Sequence, residues 1–156
     1  KMSASIFFLF IGGWLMSRFL VTTGTTRHMV DVFVGFQMSR TTLLLMMFAL
    51  FLILGCILES TSILVLTMPF MYPITQQYGV DAVWFGTFVT MMMVLAGISP
   101  PVGLNVFVVR SVCTDIPVTT IYKGAFPFIF IMCVSIFAIC VWPDLVLGPV
   151  RSMMGQ

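Results

Sequence analysis

Charged residues are so widely spaced in this chain that the uncharged stretches between them reach membrane-spanning length. From Arg40 to Glu59 there are 18 uncharged residues, from Glu59 to Asp81 21, from Asp81 to Arg110 28, and from Lys123 to Asp144 20. A helix needs about 20 largely apolar residues to cross ~30 Å of hydrocarbon. Each run is therefore predicted to span or enter a membrane. Residues 2–17 add 16 more uncharged positions around the apolar block Ile6 to Ile11. A basic Lys1 before an apolar stretch has the outline of a signal peptide. However, no A-x-A-like cleavage site follows, and the segment runs on through Trp14 to Val21, so a membrane helix is expected instead.

Composition closes off the other classes. Only 8% of the 156 residues are charged and 60% are hydrophobic, against about 25% charged in soluble domains. Disorder requires the opposite balance. A net charge of +2 with no basic cluster leaves no footprint for nucleic acid. Cys56, Cys113, Cys133 and Cys140 show no C-x-x-C spacing, and His28, the sole histidine, completes no zinc pattern with them, so no metal cluster or cofactor is expected. The 14 methionines and 16 phenylalanines read as lipid-facing and packing residues.

Along the chain, a first helix is expected over about 5–21, followed by a polar stretch with a glycine turn at Gly24 and a short interfacial piece near Val32 to Phe36. Ser39 or Thr41 is placed to cap the next helix. That helix runs to Leu58, where Glu59-Ser60-Thr61-Ser62 interrupts it. The limb from Ser62 to about Pro73 then counts only 12 residues, a rise of ~18 Å. A limb that short predicts a re-entrant hairpin over 41–75, with its polar tip at depth inside protein. Gly79 and Asp81 mark a turn and an N-cap. The following helix, Ala82 to about Ile98, opens with Trp84 at the expected interface level. It stops at Ser99-Pro100-Pro101-Val102-Gly103, because two adjacent prolines remove two donors and bias the residues before them away from helix. A second piece, Leu104 to about Cys113, resumes it, giving a broken helix over 82–113. Thr114 to Pro117 reads as a turn and Val118 to Lys123 as a short amphipathic connector ended by Gly124. A last span then carries Pro127 in its first turn and stops at Trp142-Pro143, with a short tail after it.

The two interruptions carry the functional expectation. Non-helical backbone survives at membrane depth only inside protein or beside a water-filled cavity. Half-helix N-termini aim positive dipole ends at anions, and freed carbonyls coordinate sodium, as in the binding sites of secondary transporters. Glu59 is either a costly carboxylate at depth with a functional partner, the reading favoured here, or an acid at a shallow tip meeting water. Ser60, Thr61 and Ser62 are expected to cap the half-helix with at least one hydroxyl while facing the same space. Asn105 either binds substrate or bonds to backbone on a neighbouring helix, and Gly97 is a packing residue.

The run from Leu54 to Ile63, Pro69 to Pro73, Gly79-Val80-Asp81 with Trp84-Phe85-Gly86, and Gly97 to Asn105 closely resemble the C-terminal part of the large membrane subunit of TRAP (tripartite ATP-independent periplasmic) transporters. The resemblance covers essentially the whole chain. It implies an all-α integral membrane protein, one repeat of an inverted-repeat elevator transporter, in the multi-pass setting of a bacterial inner (cytoplasmic) membrane. It implies sodium-driven import of organic acids, with a small TRAP membrane subunit, a periplasmic substrate-binding protein and the lipid bilayer as partners. By analogy, Glu59, Ser60, Thr61 and Ser62 form the tip of a re-entrant hairpin, and Ser99, Pro100, Pro101 and Gly103 form the break that follows, with Asn105 beyond it. Thr61, Ser62, Ser99 and Gly103 are the expected sodium ligands. Residues 1–40 then form a membrane helix and interfacial connector, 41–113 the transport-domain part, and 114–156 a connector, last helix and tail. Only one repeat's worth is present, so a fragment or truncated form of the family chain is expected.

Two other functions compete. A noncatalytic membrane scaffold would tolerate any residue at the two breaks. An intramembrane enzyme would use Glu59 and Asp81 as acid and base, although no nucleophile–base pair or phosphate loop supports it. With residues 41–75 re-entrant, three basic residues fall on one side and four on the other, so the positive-inside rule does not orient the chain.

Overall fold

The computed structural model describes residues 2–35, 38–100 and 103–154. Among the described residues every regular element is a helix: α1 (Met2–Thr22), α2 (Thr25–Gly35), α3 (Arg40–Gly55), α4 (Ser60–Gln77), α5 (Ala82–Ile98), α6 (Leu104–Val112), α7 (Val118–Val141) and α8 (Asp144–Met154). The all-α expectation holds. By length and composition α7, with 24 residues, is apolar enough to cross a membrane, and shorter apolar stretches occupy Phe10–Thr22, Arg40–Gly55 and Ala82–Ile98.

The bundle is organised around α5. Its sequence is apolar nearly all round, as a helix surrounded by others allows, and it packs against α3, α4, α6, α7 and α8. Phe85, Phe88, Met92 and Leu95 from α5 meet Leu43, Met47 and Phe51 of α3, and Ile136 and Ile139 of α7 join the same core. Trp84, expected near the level of the membrane interface, is 1% exposed within the bundle. Its ring stacks on Phe88 at 5.4 Å between centroids, and its Nε1–H donates to the Ile139 carbonyl at 2.9 Å. An indole can be buried this deeply because its one polar atom has found a partner.

Boundaries set by side-chain capping match expectation. Ser39 is the N-cap of α3 and accepts from the Thr42 amide, and Asp81 is the N-cap of α5 and accepts from the amides of Val83 and Trp84. Gly79 turns the chain between α4 and α5 with φ +64°.

Boundaries assigned to single prolines and to Gly124 do not match. Pro69 and Pro73 lie inside α4, which runs 18 residues, a rise of ~27 Å where ~18 Å was expected. The short second limb that argued for re-entrance is therefore not found. The two prolines are four residues apart, so they share one stripe of the helix. With Val65 and Tyr72 they line a groove that Phe10, Gly13 and Trp14 of α1 border. Likewise Gly124 does not end a connector and Pro127 is not in a first turn. Residues 118–141 form one helix with Pro117 at its N-cap and Pro127 inside. The polar stretch after Gly24 is mostly helical as well: α2 lies against α4, and the Tyr78 hydroxyl donates to the Phe33 carbonyl at 3.1 Å. The tail expected beyond Trp142 forms α8, an amphipathic helix with Asp144 in its first turn and Arg151 in its last, joined by an exposed ion pair of 3.2 Å.

Candidate functional site

Each interruption is bounded by a helix C-terminus and a helix N-terminus, and small residues bring the two interruptions to the same end of the bundle. α3 closes with overlapping turns, the Cys56 amide donating to Leu52 and Ile53 carbonyls and the Ile57 and Leu58 amides to Leu54. Just before that closure, Gly55 lies against Ala96 in the last turns of α5. A Cβ added to Gly55 would stand 2.1 Å from the Ala96 Cβ, a contact only glycine allows. Ala96 is three residues from the break at Ser99, so the hairpin tip and the broken helix are neighbours.

At the break, α5 ends at Ile98 with Ser99 as its C-cap, its amide donating to Ala96 O at 3.3 Å, and α6 starts after Gly103. Gly103 has φ +40°, a left-handed conformation that suits a residue without Cβ. The chain folds back tightly here. A Cβ on Gly103 would lie 3.0 Å from the Ser99 carbonyl oxygen and 3.3 Å from that of Gly97. Two carbonyls at the negative end of α5 thus close on the residue that opens the positive end of α6. Ser99 is buried at 7% exposure, and among the described residues its hydroxyl has no hydrogen-bond partner. A buried hydroxyl without a partner is costly.

The other expected site residues divide clearly. Gly103 is buried next to Ser99, Pro100 is exposed, and Pro101 lies outside the described residues. Asn105 is exposed, and its side chain turns back onto α5, because a Cβ on Gly97 would meet the Asn105 Nδ2 at 2.7 Å. Gly97 is thus a packing residue, as expected, and Asn105 is what it accommodates. Thr61 and Ser62 are half-buried in the first turn of α4, and Ser60 is exposed.

One expectation at the tip is corrected. None of the hydroxyls of Ser60, Thr61 and Ser62 caps α4. Glu59 occupies the N-cap position without a side-chain capping bond. The helix begins one residue earlier than a cap at Ser60 requires, so the Thr61 hydroxyl bonds the Glu59 Oε1 at 2.9 Å instead. Glu59 itself, expected at depth, is exposed in this chain. The first turn of α4 reaches the core only at Ile63, 1% exposed, so nothing here covers the carboxylate.

Arg110, the cation of α6, is engaged away from the break. Arg110 donates to the carbonyls of Thr114, Cys113 and Ile116, tying down the turn after α6. Among the described residues no group of three or more His, Cys, Asp or Glu side chains could hold a metal ion. Any cation bound here would have hydroxyl and carbonyl oxygens as ligands. Sequence reasoning missed Gly55 and Ala96 as the pair that joins the two breaks. Their signal was the habit of small residues marking close helix approach, visible in Gly55 and in Ala96-Gly97.

A family model described as "Tripartite ATP-independent periplasmic transporter, DctM component" matches residues 1–145. The chain is similar to the sialic acid TRAP transporter permease protein SiaT of Haemophilus influenzae, 33% identical over 76% of this chain and 19% of that protein. It is similar to the sialic acid TRAP transporter large permease protein SiaM of Vibrio cholerae, 29% identical over 86% of this chain and 30% of that protein. It also matches the C4-dicarboxylate TRAP transporter large permease protein DctM of Pseudomonas aeruginosa, 26% identical over 92% of this chain and 33% of that protein. The chain thus spans between 19% and 33% of the length of these relatives. Their names are those of transporter permeases, not enzymes.

Proposed function

The chain belongs to the DctM component family of tripartite ATP-independent periplasmic transporters, and from that membership we propose that it supplies the C-terminal transport part of a sodium-coupled permease importing organic acids. In this reading the whole permease sits in the bacterial inner membrane, works with a small membrane subunit, and takes its cargo from a periplasmic binding protein. Residues 41–113 carry the site and move as part of an elevator.

The observation that carries the reading is the buried Ser99, whose hydroxyl has no hydrogen-bond partner among the described residues, at a break where the carbonyls of Gly97 and Ser99 close on Gly103. A hydroxyl and carbonyl dipoles at a helix C-terminus suit a small hard cation such as sodium. The N-termini of α4 and α6, at the same end, offer amides and positive dipole ends that suit a carboxylate. Sodium then supplies the charge that no side chain of this segment supplies, so cation and acid favour each other's binding. Thr61 and Ser62 complete the shell from the hairpin side. The cargo class follows the relatives named for sialic acid and C4-dicarboxylate, both carboxylic acids.

The test is uptake of a radiolabelled carboxylate by proteoliposomes containing the full-length permease with its small subunit and binding protein. An inward sodium gradient should drive accumulation, and replacing sodium with potassium should abolish it. Accumulation that is indifferent to sodium would reject the coupling.

A further inference from the structure

At the end of the bundle away from the two breaks, a cleft of about 640 Å³ opens between α3 and α7 over the side of α5. That size lies within the range of small-ligand sites, about 300–1,000 Å³. Its wall is apolar, with Leu44, Phe48, Phe88 and Ile136 inside and Leu45 and Phe137 at the rim, 65% and 69% exposed. It runs along α3 from Arg40 to Phe48, eight residues or ~12 Å. One leaflet's hydrocarbon is ~15 Å deep. α7, which forms one side of the rim, is long and apolar enough to cross a membrane.

The polar end of the cleft is Arg40. The guanidinium stands over the Trp84 ring, 5.8 Å from its centroid, which orients it but leaves its N–H donors free. Among the described residues it has no carboxylate or hydrogen-bond partner, whereas Arg151 nearby is paired with Asp144. Arg40 and Pro143 also line a second, polar cavity of about 500 Å³ that continues outward past Asp81 and Asp144. An apolar slot of nearly leaflet length that ends at an oriented arginine suits one acyl chain joined to an anionic headgroup seated on Arg40, with the polar chamber beyond it leaving room for the rest of the headgroup. Basic pockets between membrane helices are known to recognise such headgroups.

We propose that this cleft binds an anionic phospholipid, with one acyl chain between α3 and α7 and the phosphate on Arg40. The site is separate from the breaks, and it rests on the membrane setting of the chain and not on sodium coupling. The test is native mass spectrometry of the delipidated full-length permease, titrated with phosphatidylglycerol, phosphatidylcholine or inorganic phosphate. Wild type should retain phosphatidylglycerol in preference to phosphatidylcholine and should retain no phosphate. Arg40→Gln should lower phosphatidylglycerol binding about fivefold, the effect of one cation at a lipid surface. Arg40→Lys should keep most of the preference, and this variant decides the matter if the glutamine variant does not fold. Leu45→Trp, which fills the mouth of the slot, should weaken both lipids. Equal retention of the two lipids by wild type, or unchanged binding in Arg40→Gln or Leu45→Trp, would overturn the proposal. So would cross-linking of a cysteine at position 45 to another segment of the full-length chain, which would show the slot filled by protein.

Discussion

Gly55 and Ala96 approach so closely that a methyl group on Gly55 would lie 2.1 Å from the Ala96 Cβ. This contact joins the hairpin tip to the broken helix and brings two separate interruptions together. Gly55→Ala in the full-length permease should lower thermal stability and reduce transport, because both facing groups belong to packed helices and neither is the end of a flexible side chain. Ala96→Gly in the same molecule removes the nearest clash and leaves the Ala96 Cα at 3.2 Å, so it should restore part of both. The double-mutant cycle should show a coupling of about 0.5–3 kcal/mol. Strict additivity of the two substitutions would mean that the helices do not meet here.

Gly103 should be the least replaceable glycine of the break. Its φ of +40° costs a residue with a Cβ about 1–2 kcal/mol, and that Cβ would press on the Ser99 carbonyl at 3.0 Å. Gly103→Ala should therefore lower the melting temperature in detergent. Gly124→Ala, in the interior of α7 with open space around its Cβ position, should leave it unchanged or raise it, since alanine is favoured over glycine in a helix by about 0.5–1 kcal/mol. Equal effects at the two positions would contradict the assigned backbone.

Asp81 acts through its cap and not as an acid or base. Asp81→Asn keeps an oxygen for the Val83 and Trp84 amides and should leave stability and uptake near wild type. Asp81→Ala should cost about 1 kcal/mol of stability. A loss of uptake in the asparagine variant with stability intact would point instead to a role for the charge.

Trp84 holds the end of α7 to the start of α5 through a single buried hydrogen bond to Ile139. Trp84→Phe preserves an aromatic ring against Phe88 but orphans that carbonyl, at about 1–3 kcal/mol. Hydrogen exchange should quicken in the last turns of α7 and not in α3. Uniform quickening across the bundle would show that the bond is not a local tie.

The sequence made visible whatever depends on local chemistry. Uncharged run lengths marked the apolar segments. Ser39 and Asp81 carry side chains that cap, so the start of α5 was readable to the residue and that of α3 to within two. The double proline with Gly103 marked a break because two missing donors and a left-handed turn cannot continue a helix. Single prolines were misread for the opposite reason: Pro69, Pro73 and Pro127 each remove one donor, a loss the surrounding helix tolerates. What depends on distant contacts was not readable. The Ile139 carbonyl that satisfies Trp84 lies 55 residues away in the chain, and within this chain nothing described covers Glu59. The pairing of Gly55 with Ala96 joins residues 41 positions apart, and no periodicity announces it.

The most direct measurement is the sodium dependence of initial uptake by the full-length permease in proteoliposomes, compared among wild type, Ser99→Ala, Ser99→Thr and Thr61→Ala. If the buried Ser99 hydroxyl is a sodium ligand, alanine there should raise the half-saturating sodium concentration about tenfold, the size of one hydrogen-bond-strength contact to a charged group. Threonine, which keeps the hydroxyl, should stay near wild type, and Thr61→Ala should shift in the same direction as Ser99→Ala. An unchanged half-saturating sodium concentration in both alanine variants, with uptake still driven by sodium, would contradict the assignment of the site.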